Sequence, residues 1–238
     1  MYLDRTYKTA MTLIRKSITG LALILTLTSC ASVSVQKDTE QATPQMPQKV
    51  YVAFFDVAQG KFKVDREGPD LVEFKQNLQA MMQTGLVTDL THRLVPAVPT
   101  NATQGFQPEN AWLIRGEFTK VNQGSRLLRS TIGFGAGGTK METNIYVYDL
   151  NQNSNVPFLT FSTTGGSNAE PGAVTGAATD PVVAAIGMVA GGAGNFAHGL
   201  TEDTARTTRE ITAELSDYMY RSGWIAKDKW IEPKKLDN

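Results

Sequence analysis

One cysteine, Cys30, stands in a chain of 238 residues. A disulfide framework needs cysteines in pairs, so no bridge can form within this chain. Whatever folds must be held by a buried apolar core. With 41% apolar residues, there is material for one domain of the usual size, about 100–200 residues, plus extensions.

Cys30 also carries an address. Arg15 and Lys16 precede an uncharged apolar run over residues 18–27, and small residues lead from there to the cysteine. A positive start, a short apolar middle and a small-residue end make up an export signal. A membrane-spanning helix needs about 20 apolar residues, and this run is roughly half that length. Leu27-Thr28-Ser29-Cys30 resembles the lipobox of bacterial lipoproteins. The resemblance implies a signal peptide over residues 1–29, cleavage before Cys30, and fatty acyl chains on its sulfur and on the new amine. Several acyl chains anchor where one does not, since each buried methylene adds about 0.8 kcal/mol. Ala31 stands where an aspartate would resemble an inner-membrane retention signal, which favours the outer membrane, facing the periplasm. Met11 also fits as a start, because residues 2–10 add nothing the signal needs.

The formal charge is zero, with 23 basic and 23 acidic residues. The leader holds Arg5, Lys8, Arg15 and Lys16 against Asp4, so setting it aside leaves 19 basic and 22 acidic residues. No basic field remains to hold a phosphate backbone, and nucleic acid is not an expected partner. Residues 30–48 are expected to be the lipidated cysteine and a flexible tether, polar and marked by Pro44 and Pro47. Such a tether reaches roughly 23 Å as a random chain.

Residues 49–238 read as a single α+β domain. Val50, Tyr51, Val52, Ala53, Phe54 and Phe55 run unbroken, as in a strand at least partly covered on both faces. Gly68-Pro69-Asp70 opens a helix whose apolar stripe is Leu71, Phe74, Leu78, Met82, Leu86 and Leu90. Alternation predicts strands over 112–121, 140–150 and 158–163. A last helix is expected to start at a Thr201 cap, with Glu202 and Asp203 at its positive end. Its stripe is Thr208, Ile211, Leu215, Tyr218 and Met219, with Gly223 as a left-handed terminator and Trp224 folded back. This order predicts a two-layer sandwich, a mixed sheet of about four strands with two main helices on one face.

The Gly/Ala-rich segment 165–200 is an insertion whose only charges are Glu170 and Asp180. Asp180-Pro181 would start a short helix over 182–190, apolar nearly all round. Such a helix must be buried or face a partner. Val182, Ile186, Gly187 and Gly191 make a candidate association segment, because glycines on one face let helices approach closely. The expected occupant is a second copy or an unknown envelope protein.

Gly116-Glu117-Phe118-Thr119, then Gly124-Ser125-Arg126, then Ile132-Gly133-Phe134-Gly135-Ala136-Gly137 punctuate the middle of the chain. This pattern, with the lipobox, resembles the bacterial lipoprotein family known as domain of unknown function 4410, over roughly residues 49–226. The resemblance implies a lipid-anchored envelope protein with no assigned activity. Gly133 to Gly138 formally match a dinucleotide fingerprint, but that site needs a helix next and the following residues alternate as a strand. The backbone N–H groups of Gly133, Gly135 and Gly137, beside Arg126 and Arg129, are a candidate contact for an anionic ligand or partner.

His92 and His198 are the only histidines, and neither has a triad or metal-ligand pattern around it. No catalytic residue, metal or cofactor is expected. The function expected is that of a non-enzymatic binding or assembly module on a membrane. The alternative is a binder of a small anionic or cell-wall ligand through the Arg126/Arg129 loop. The mature protein from its host should carry acyl mass on Cys30 and enter the detergent-rich phase on phase separation. A bare thiol, or partition into water, refutes the anchor.

Overall fold

The alternation in 111–122 sets the frame for everything around it. The computed structural model describes residues 32–43, 45–124, 138–152, 155–166, 180–192 and 198–235. Among them seven strands form one sheet: β1 (Ser32–Glu40), β2 (Lys49–Ala53), β3 (Lys61–Lys63), β4 (Ala97–Thr100), β5 (Ala111–Asn122), β6 (Lys140–Asp149) and β7 (Leu159–Gly166). Their order is β1-β7-β6-β5-β2-β4, with β3 also paired to β5. The β2, β3 and β4 pairings are parallel and the rest antiparallel, so the sheet is mixed. Three α-helices accompany it among the described residues: α1 (Gly68–Arg93), α2 (Pro181–Gly192) and α3 (His198–Arg221).

The α+β class holds, with the helices on one face. Val50, Val52, Trp112, Ile114, Phe118, Met141, Ile145, Val147, Leu159 and Phe161 point from the sheet into one core. They meet Phe74, Leu78, Met82, Leu86 and Leu90 of α1 and Ile211, Leu215, Tyr218 and Met219 of α3. These are the stripes that periodicity predicts. Gln83, buried on α1, donates to the carbonyls of Val52 (2.9 Å) and Thr100 (3.0 Å), tying α1 to β2 and β4. Gly223 takes φ 75°, and Trp224 packs its ring 6.1 Å from that of Trp112.

Two local devices keep β5 in register. A bulge between Phe118 and Lys120 adds one residue, so Phe118 and Val121 both face inward. Gly116 leaves the space that the Phe55 ring fills; a Cβ there would lie 2.4 Å from Phe55 Cε2.

Several expectations are corrected. The sheet has seven strands among the described residues, where four were expected. The missing three are short or lie at an edge: β3 has three residues, β4 carries Pro99, and β1 has only Val33 and Val35 as buried apolar positions. The tether expected over 31–48 contains β1, paired antiparallel with β7. Two alternating valines in a polar stretch were too brief a pattern to stand out, yet they are 1% and 4% exposed. Gln41 and Thr43 continue the attachment, since Tyr218 donates to the Gln41 carbonyl (2.9 Å) and accepts from the Thr43 amide (2.9 Å). The compact unit is Ala31–Asn238, not 49–238. Thr201 is no cap, because α3 begins at His198. Asp203 is fully buried within it and accepts from Thr139 and Arg206 (3.0 Å).

Charges fasten β1 to α3. Lys37 meets Glu214 at 2.7 Å and Glu40 at 2.6 Å, while Arg221 meets Glu40 at 2.7 Å and Asp217 at 2.9 Å. The Arg221 guanidinium beside Glu40 holds that carboxyl at about 2, against the ordinary 4.5.

Gly116→Ala should lower stability by about 1–3 kcal/mol through overpacking against Phe55, read as a lower urea midpoint with an unchanged slope. Glu40 has a depressed folded-state pKa, so its stabilisation is complete above the ordinary carboxylate value and disappears as pH falls through about 2. The stability gap between the parent and Glu40→Gln should therefore be widest near neutrality and shrink steadily on acidification. A gap that does not change with pH contradicts this account.

Candidate functional site

Among the described residues, no α-helix packs on the second face of the sheet. On β5 the outward residues are Leu113, Arg115 and Glu117, and β6 sets Tyr148, Tyr146 and Asn144 opposite them in register. Glu117 Oε1 accepts from Asn144 Nδ2 (2.7 Å) and from the Tyr146 hydroxyl (2.9 Å). Burial, reinforced by the Glu117 acceptor, pushes the Tyr146 phenol above its ordinary pKa. Tyr146 is thus held as a protonated donor, and Glu117 is committed to its neighbours.

Arg115 is arranged differently. Its guanidinium lies over the Tyr148 ring, 5.5 Å from the centroid, and forms no ion pair with a described carboxylate. A half-buried cation stacked on an aromatic face keeps its N–H edge for another partner. It opens into a cleft of about 310 Å³ lined by Thr103, Gln104, Gly105, Phe106, Leu113, Arg115, Tyr148, Leu150 and Asn155. The 103–106 side is a loop turned at Gly105, where φ is 81°. Phe106 anchors that loop by packing on Tyr51, ring centroids 5.0 Å apart. The cleft joins an apolar floor, two rings, two amide side chains and one guanidinium. Its size sits at the lower end of the range of roughly 300–1,000 Å³ for ligand sites.

The sequence-derived candidates fall elsewhere. Cys30, Arg126, Arg129, Gly133, Gly135 and Gly137 lie outside the described residues. The expected helix in the Gly/Ala-rich segment is present as α2, and its association segment divides into two sides. Val182 and Ile186 are buried against Met81 within the domain, with Ala205 beside them, so they are not available to a partner. Gly85 on α1 makes room for this, since a Cβ there would stand 2.8 Å from Ile186 Cδ1. Gly187 and Gly191 have nothing within 4 Å of where a Cβ would be, and Met188 is 76% exposed. His92 lies exposed in the last turn of α1 and His198 begins α3. Among the described residues no group of three or more His, Cys, Asp or Glu could hold a metal ion. No described helix is long and apolar enough to cross a membrane.

Sequence reasoning missed Arg115 and Tyr148 as a pair. Alternation over 112–121 puts Arg115 on the face opposite Trp112 and Ile114, but the ring beneath it comes from β6, and strand register is not written in either segment alone.

Comparison with known proteins gives a family and distant likenesses among solved structures. Residues 32–190 match the model described as "Domain of unknown function (DUF4410)". That match begins at β1 and ends within α2. No curated protein matches the chain. The PelC dodecamer from Paraburkholderia phytofirmans is 11% identical with a TM-score of 0.34, covering 73% of this chain and 97% of that one. A point variant of the same PelC dodecamer is 12% identical with a TM-score of 0.33, covering 67% and 92%.

Proposed function

The chain belongs to the domain of unknown function 4410 family, and from that premise we propose a lipid-anchored cell-envelope module that binds another molecule without transforming it. The observation that carries the reading is Arg115, stacked on Tyr148 and unpaired with any described carboxylate, at the edge of the cleft. A guanidinium is always protonated, and its planar fork matches a carboxylate or phosphate. Leu113, Leu150 and Phe106 supply apolar surface for the body of the same ligand. We therefore assign the anionic contact to Arg115 in this cleft, ahead of the Arg126/Arg129 loop. The class of ligand is a small molecule, or a terminal group of a larger one, that joins an anion to an apolar or ring-bearing portion. A cell-wall fragment with a free carboxylate fits that description. Acyl chains on Cys30 would hold the cleft at the outer membrane, where such fragments are met.

Titration of the lipidated protein with muropeptides, monitored by intrinsic fluorescence, tests this. Arg115→Ala should weaken binding about 10-fold or more, the expected cost of one charge-assisted hydrogen bond. Amidating the ligand carboxylate should produce a similar loss, and Arg126→Ala/Arg129→Ala should leave binding intact. Binding that survives Arg115→Ala and vanishes with the double substitution moves the contact to the glycine loop. If no muropeptide binds, and protein partners captured from solubilised envelope are lost on deleting 181–199, the module is an assembly factor instead.

A further inference from the structure

We propose that the exposed side of α2 rests on the lipid surface to which Cys30 anchors the chain; the inference rests on the lipid-anchor reading above. Only Ala31 separates Cys30 from Ser32, the first residue of β1. Two peptide links span at most about 7 Å. An acylated Cys30 therefore brings the start of β1 to the membrane, with no tether to hold it off.

The contacts that surround this end of the fold lead to α2. Ser32 pairs with Gly166, whose Cβ position would lie 2.1 Å from the Thr139 carbonyl oxygen. The Thr139 hydroxyl donates to Asp203 on α3. Two residues further along α3, Ala205 packs against the Met81, Val182 and Ile186 cluster that seats α2. The other end of β1, Glu40, pairs with Leu159, about 26 Å away along the strand. Thus α2 and the anchored end of β1 share the part of the sandwich where α3 begins.

The chemistry of α2 suits lipid. Its twelve residues, PVVAAIGMVAGG, include no charge and no polar side chain. Val182 and Ile186 face the domain, while Ala184, Met188 and Gly191 are exposed. An interfacial helix ordinarily needs a polar face for water. Here the domain covers one side, so an uncharged outer side is left to meet acyl chains. At about 1.5 Å per residue, α2 is about 18 Å long, too short to cross and long enough to lie flat.

With Cys30 acylated, Met188→Cys introduces the sole free thiol, which can carry a fluorophore. Val156→Cys, 62% exposed and close to the Leu159 end of β7, serves as the distant control. Both lipidated variants are reconstituted into phosphatidylethanolamine/phosphatidylglycerol vesicles containing spin-labelled lipid, after mass analysis of Cys30. Quenching at position 188 should exceed that at 156 by about twofold or more, as a label within an interfacial helix requires. Equal quenching at the two positions on an acylated chain overturns the inference and leaves the anchor standing. So does Met188→Cys cross-linking between chains without lipid quenching, which assigns α2 to a second copy. An unacylated Cys30 removes the anchor reading and this inference together.

Discussion

The fold depends on which way β5 faces. Side chains alternate along a strand, so a slip of one residue would turn Trp112, Ile114 and Phe118 out to water and bring Arg115 and Glu117 into the core. The bulge beyond Phe118 and the Phe55 ring seated over Gly116 both resist such a slip. β5 pairs with β2, β3 and β6, which makes it the reference for their registers. The cleft exists because the same alternation that fills the core sends Arg115 the other way.

The attachment of β1 to α3 follows a different logic. Glu214 is nearly buried, and burial pushes its carboxyl above the ordinary pKa although Lys37 stands 2.7 Å away and opposes the shift. A pair of this kind, with one carboxylate buried, adds little net stability, because desolvation of Glu214 offsets most of the attraction. Its effect is on placement: a slipped β1 would leave Glu214 without its cation. Val33 and Val35 supply the apolar burial, while the charges settle position. Glu40, less buried and held low by Arg221, is the member of the set that adds stability at neutral pH.

Long periodic signals were legible in the sequence. The stripes of α1 and α3, the alternation of β5, β6 and β7, and the Gly223 terminator all depend on residues close together in the chain. What escaped depends on distant partners. β1 reads as polar linker until β7 and α3 are beside it. Thr201 looks like a cap because Ser, Thr, Asp and Glu near an apolar run carry that signal, yet α3 runs back to His198. The α2 segment was recognised as helical and apolar all round, but which side met the domain depended on Gly85, a hundred residues earlier. The Arg115–Tyr148 pair required knowing that β6 lies against β5 in a given register. Short-range pattern yields elements, and the site arises where they are put together.

The immediate start of β1 after Cys30 has a mechanical consequence. If Cys30 carries the proposed acyl anchor, a load applied between it and anything gripping the domain would enter the fold through Ser32, at one end of the β1–β7 ladder. Pulled along the strand axis, the ladder is sheared, and its eight paired positions from Ser32–Gly166 to Glu40–Leu159 bear the force together. Pulled across that axis, the pairs would peel apart one after another from Ser32. The angle of the traction, more than its size, decides whether the anchorage holds.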